Sequence, residues 1–99
     1  MVLESADILV KPGMEAVFEA GVAQAAPLFR RARGCLSMVL QRGIENRRAY
    51  RLLVRWESLE DHTVHFRSSE DFQAWRALVG HCFDGLPVVT HLETVVNAF

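Results

Sequence analysis

Apolar and polar positions along the chain change their period in a fixed order. Ala6 to Val10 is a short apolar run stopped by Pro12-Gly13, a strong turn signal, and is predicted as a first strand. Met14, Val17, Phe18, Val22, Ala25 and Phe29 then recur every three or four positions, which predicts a helix. Glu15 and Glu19 in its early turns, and Arg30, Arg31 and Arg33 near its end, suit the helix dipole. Pro27 must kink or break it, because proline removes a backbone donor. Gly34 fits the left-handed position past a helix end, and Cys35 to Arg42 reads as a second strand. Gly43-Ile44-Glu45-Asn46 suits a hairpin connection into a third strand, Arg48 to Trp56. On that strand Tyr50, Leu52, Val54 and Trp56 alternate with Ala49, Arg51, Leu53 and Arg55, so one face is wholly apolar and the other mixed.

Ser58 has the character of an N-cap, with Glu60 and Asp61 in the first turn of a short helix that carries His62 and His65. Ser69 is a candidate cap for a further helix, whose stripe Phe72, Trp75, Leu78 and Val79 ends at Gly80. After Pro87, the β-branched run Val88 to Val96 reads as the last strand. The order is β-α-β-β-α-β, the split βαβ pattern of an α+β, ferredoxin-like domain with an antiparallel sheet. Helices cover one side of such a sheet only. The side carrying Leu53 and one alternation of the last strand is then left bare, and stacking two sheets face to face would hide it, so a homodimer through the sheet faces is expected.

Composition sharpens this picture in three places. The chain has 99 residues, 51% of them hydrophobic, which sets one thin-cored domain over residues 1–99 and adds weight to a second copy covering apolar surface. The net charge of −1 gives no global attraction to nucleic acid or anionic lipid, no run is long enough for a membrane span, and the N-terminus lacks a secretory layout. A cytoplasmic protein with neither nucleic-acid nor membrane partners is therefore expected. Cys35 and Cys82 are too few for a disulfide framework or zinc site and read as buried free thiols. Arginines crowd the middle of the chain, from Arg30 to Arg55, and acids dominate from Glu57 to Asp71. The simpler reading of that asymmetry is an ion-paired face; the sharper one is a seat for an anion.

Candidate chemistry is concentrated between Trp56 and Arg76. Trp56 lies where a strand meets a helix, so its ring can cap the core while its N–H reaches an acceptor. His62 and His65, three apart on a predicted helix, share a face, and either imidazole can serve as a general base. No third ligand at matching spacing accompanies them, so no metal centre is predicted. Phe66, Phe72 and Trp75 would line the gap between helix and sheet, and Arg55 and Arg76 could steady an oxyanion. Each residue alone also has a plain structural reading: a core indole, a satisfied histidine, a packed stripe, an exposed arginine. His81 and His91 are assigned no role.

Taken together, Trp56-Glu57-Ser58, the following His65, Gly34-Cys35-Leu36-Ser37 and Val88-Val89-Thr90-His91 resemble the antibiotic biosynthesis monooxygenase family over essentially the whole chain. His62 in Asp61-His62-Thr63-Val64 is similar to the histidine of one branch of that family. The resemblance implies a dimeric α+β barrel that oxidises a small aromatic, a quinol or a polyketide-like ring, with molecular oxygen and no metal or flavin. On that basis His65 is expected to be the base with His62 as its rival, Trp56 a donor and wall, and Phe66, Phe72, Trp75 and Arg76 the lining of the cavity. A haem-degrading branch of the superfamily uses an asparagine on the first strand. Ala6-Asp7-Ile8-Leu9-Val10 offers none, which argues against haem. A non-catalytic dimer that binds an aromatic metabolite is the alternative outside enzymology, since the fold alone does not dictate a reaction.

Overall fold

In a computed structural model describing residues 1–99, four strands form one antiparallel sheet in the order β2-β3-β1-β4. These are β1 (Val2–Leu9), β2 (Cys35–Arg42), β3 (Ala49–Trp56) and β4 (Val88–Leu92). Helices α1 (Glu15–Gln24), α2 (Ala26–Arg30) and α3 (Glu70–Val79) join them, and a six-residue π-helix, Asp61–Phe66, lies between β3 and α3. This is the ferredoxin-like α+β arrangement the hydrophobic periods predicted.

Two strand boundaries differ from expectation. β1 begins at Val2 rather than Ala6, pairing Val2 with Trp56 and Glu4 with Val54. An acidic residue at an inward position interrupts the apolar alternation and hides the start of the strand from a pattern reading. β4 stops at Leu92 rather than running to Val96, with Leu92 paired to Leu3 one residue from the start of β1. Val95, Val96 and Phe99 are accordingly exposed.

The helical layer follows the sequence closely. The predicted first helix breaks at Ala25, and Pro27 falls in the opening turn of α2, where a missing N–H does no harm. Ser58 Oγ accepts from the Asp61 N–H at 3.2 Å, and Ser69 Oγ accepts from the Phe72 N–H at 3.1 Å, so both serines cap as expected. Tyr50, Leu52, Val54 and Trp56 on β3, together with Ala6 and Ile8, meet Phe18, Phe29, Phe66, Trp75 and Val79 in the core. The opposite face of the sheet is uncovered: Leu9, Val39, Val88 and Leu92 are exposed there, beside the Asp7–Arg51 ion pair at 2.8 Å. No helix is long and apolar enough to cross a membrane.

Gly34 links the helical layer to the π-helix. It has φ +74°, its carbonyl accepts from the Glu57 N–H at 2.8 Å, and a Cβ built on it would collide with the Asp61 carboxylate. Asp61 is buried and reaches Arg33 at 3.4 Å. Gly34→Ala is therefore expected to lose about 1–3 kcal/mol from the left-handed backbone alone, with the Asp61 collision in addition. A fall in Tm of at least about 5 °C in a circular-dichroism melt is the expected result; an unchanged Tm would contradict this account.

Candidate active site

The π-helix decides which imidazole turns inward. Its five-residue hydrogen bonds, such as Arg67 N–H to His62 O at 3.1 Å, turn each residue through a smaller angle than an α-helix does. Residues three apart then diverge, while residues four apart share a face. His62 and Phe66 accordingly point into the protein, and His65 points into solvent. The expectation that His65 faces the pocket is corrected on this ground: the shared face of His62 and His65 assumed an α-helical turn.

Around His62 four polar side chains from three strands and the π-helix converge. Trp56 is fully buried, and its Nε1–H donates to Glu4 Oε1 at 3.0 Å. The His62 ring stacks on the Trp56 indole, with centroids 5.2 Å apart and planes 17° from parallel. His62 Nε2 comes within 3.3 Å of the same Glu4 oxygen, and its Nδ1 lies 2.8 Å from His91 Nε2. Register makes this meeting possible, because Glu4 is the direct partner of Val54 on one side and of His91 on the other. Glu4, His62 and His91 thus form a chain of titratable groups running from the middle of the sheet toward its β4 edge.

Burial controls the charges in that chain. It is the largest influence on Glu4 and lifts its carboxyl to about 7, against the lowering effects of the Trp56 hydrogen bond and the Arg67 charge. Burial likewise pushes His62 down to about 4, helped by Arg67 and His91, and it also lowers His91. Both partners of the 3.3 Å contact are held toward their neutral forms, so it joins a neutral imidazole to a carboxyl poised near neutrality and is not an ion pair. In a neutral imidazole one ring nitrogen donates and the other accepts, so a proton gained at one end of His62 can leave from the other.

Beside this chain lies a cavity of about 350 Å³, walled by Glu4, His62, Phe72 and Trp75 with Arg67 and Arg76 at its rim. Phe72, Trp75 and Arg76, all named from sequence, border this cavity. Phe66 and Trp56 do not reach the wall. Phe66 packs behind it against Trp56 and Phe29, and the Trp56 N–H is already spent on Glu4. Both Glu4 contacts fall on Oε1. Oε2 makes no hydrogen bond within the protein, and Glu4 lines the cavity.

Two residues of the site, Glu4 and His91, were missed from sequence. A signal existed for both: extending the first strand to Val2 puts Glu4 on the face of Ala6 and Ile8, and a carboxylate in an apolar row is the anomaly that marks a site. A larger hollow of about 530 Å³ lies beside Tyr50 and Arg51. Its ionic groups are already matched, Arg51 with Asp7, Arg42 with Glu19, and the Tyr50 hydroxyl with Glu19, so it lacks the free carboxylate of the smaller cavity.

No group of three His, Cys, Asp or Glu side chains is arranged to hold a metal ion. Haem finds no free axial ligand in His62, since its two nitrogens face His91 and Glu4. Cys35 and Cys82 are free thiols, both pushed up by burial and so poor nucleophiles.

Known proteins place this geometry in context. The sequence model of the antibiotic biosynthesis monooxygenase family matches residues 1–78. YczJ, an uncharacterised protein of Bacillus subtilis, is 40% identical over 95 residues, which is 96% of this chain and the whole of that protein. A crystal structure from Bordetella bronchiseptica, assigned to the antibiotic biosynthesis monooxygenases, is 56% identical with a TM-score of 0.95, covering 96% of this chain and 97% of that one. SnoaB, a cofactor-independent oxygenase from Streptomyces nogalater, shares the fold at 16% identity and a TM-score of 0.84, covering 98% and 95% of the two chains.

The buried carboxyl has a thermodynamic signature. Glu4 keeps its proton up to about 7 in the folded chain but only to 4.5 when unfolded, so the stability it contributes is present below 4.5 and lost as pH rises through 7. Glu4→Gln keeps an oxygen for the Trp56 N–H and carries no charge. The variant should therefore gain on the wild type between about pH 5 and about pH 8, by up to roughly 3 kcal/mol or about 10 °C in Tm. His62 works in the opposite sense, its stability being present above 6.5 and lost as pH falls through about 4, so the acid limb should be common to both proteins. Parallel melting curves across the whole range would contradict the burial of an ionisable Glu4.

Proposed function

The chain belongs to the antibiotic biosynthesis monooxygenase family, and on that premise we propose that it oxidises a small hydroxyaromatic with molecular oxygen, using no cofactor. The observation that carries the reading is the unpartnered Glu4 oxygen at the wall of an aromatic-lined cavity, on a carboxyl poised near neutrality. A general base works best when its pKa lies near the working pH, and Glu4, lifted to about 7, meets that condition better than His62, which burial pushes down to about 4.

The substrate ring lies against Phe72 and Trp75, which exclude water. Glu4 Oε2 takes the proton of a phenol or an activated C–H, leaving an electron-rich anion in a dry site. That anion reduces oxygen directly. For a ring CH2 group, one oxygen atom stays on carbon as a carbonyl, the other leaves as water, and the four electrons that oxygen accepts all come from the substrate carbon. Glu4 passes its proton through His62 to half-buried His91 and is restored. Trp56 is a positioning residue in this scheme, through its hydrogen bond to Glu4, and His62, stacked on the indole, carries the proton. His65, exposed on the outer face of the π-helix, takes no part.

A second copy belongs to this reading. Val39, Val88 and Leu92 are exposed around half-buried Leu53 on the uncovered sheet face, a patch suited to the same patch on a twin. The resulting pair of stacked sheets is the dimeric α+β barrel. Leu53→Glu, introducing a charge at the centre of that patch, should convert a dimer to a monomer in light scattering after gel filtration; a monomeric wild type would remove the dimer from the proposal.

Oxygen uptake against a panel of dihydroxyaromatics tests the activity. Glu4→Gln should lower kcat by about 10²-fold or more, His65→Ala should leave it unchanged, and the wild-type rate should rise with pH through about 7 as Glu4 ionises. Full turnover by Glu4→Gln, with folding verified by circular dichroism, would overturn the assignment of the base.

A further inference from the structure

The two guanidiniums at the rim of the small cavity belong to the half of the chain's ten arginines that reach no carboxylate, and they are the two of that half that border a cavity wall carrying a buried carboxyl. Arg31, Arg33, Arg42, Arg48 and Arg51 each reach a carboxylate at 2.7 to 3.4 Å. Arg67 and Arg76, which both border the cavity, reach none. Arg67 follows the π-helix directly, and its charge bears on Glu4, His62 and His91 together. Arg76 stands on α3 one turn beyond Phe72 and next to Trp75. The cavity is therefore polarised, with a carboxyl oxygen free to accept a hydrogen bond on the sheet side, apolar aromatic walls between, and two unpaired cations at the mouth.

We propose that the ligand of this cavity is a hydroxylated aromatic acid, its phenolic hydroxyl donated to the free oxygen of Glu4 and its carboxylate held at the rim by Arg67 and Arg76. This deepens the oxygenase reading and rests on the same cavity. The volume of about 350 Å³ lies at the small end of ligand pockets, which commonly span ~300–1,000 Å³, and so suits a fused system of few rings. A planar guanidinium offers paired donors that match the two oxygens of a carboxylate, whereas a neutral phenol would leave both cations unanswered. An anion at the rim also offsets the positive field that Arg67 casts over the imidazoles. It orients the ring as well, because only one end of such a molecule can face Glu4.

Calorimetric titration of the full chain under nitrogen, with 3-hydroxy-2-naphthoic acid and 2-naphthol as probes, reads binding without turnover. At low salt the acid should bind at least about tenfold more tightly than the naphthol, and added salt should narrow the gap. In the double variant Arg67→Gln/Arg76→Gln, both positions being exposed, the acid should lose about tenfold or more while the naphthol stays within about twofold. Equal affinity for the two probes in the wild type, or an acid affinity indifferent to the double variant, would overturn the inference. Oxygen uptake separates the two layers of the argument. Turnover of neutral quinols without any preference for the acid sinks this inference alone, whereas arginine-dependent binding of the acid by a protein that never consumes oxygen with any probe sinks the oxygenase reading alone.

Discussion

A carboxylate on the inner face of the sheet, hydrogen-bonded to a buried indole, is the contact on which the rest of this molecule turns. Burying Glu4 among Ala6, Val54 and Trp56 is unfavourable unless its oxygens find partners, and the sole hydrogen bond within the protein comes from Trp56 at 3.0 Å. That bond ties the start of β1 to the end of β3 across 52 residues of chain. It also leaves one oxygen bare. His62, stacked on the same indole, supplies the second neighbour and extends the network to His91 on the far strand. Removing any member leaves a buried polar group without its partner, so fold and chemistry share one set of interactions.

The π-helix belongs to the same economy of space. An α-helical turn after Ser58 would put His62 and His65 on one face; the wider turn pairs His62 with Phe66 instead and sends His65 outward. Phe66 then packs against Trp56, Phe29 and Phe72, behind the residues that line the cavity. π-bulges recur at functional sites because they re-aim one side chain at the expense of regular hydrogen bonding, and here the re-aimed side chain is the imidazole.

Most of the fold was legible because period carries topology: β2, α3 and the inward row of β3 follow from spacing alone, and the capping serines Ser58 and Ser69 act where their sequence context put them. The site was legible in part. Phe72 and Trp75 were assigned to the gap between helix and sheet by helical spacing, whereas Arg76 and His62 were named for their chemistry and through the family resemblance. Glu4 was hidden by the very property that makes it interesting, since a charged residue in an apolar row reads as the end of a strand. His91 was hidden with it, because its meaning depends on strand register, a non-local fact that no local pattern holds. The choice between the two histidines failed on a single assumption about helix type, which sequence periodicity over six residues does not resolve.

The account reduces to the claim that Glu4 gains and loses its proton near neutrality inside an aromatic cavity. Carbon-13 NMR of the side-chain carboxyls, titrated in the wild type and in Glu4→Gln, measures this without any substrate. One carboxyl resonance with a midpoint near 7, absent from the variant, is the result predicted. Titration of every glutamate below about 5, where carboxyls in water ionise, would contradict it.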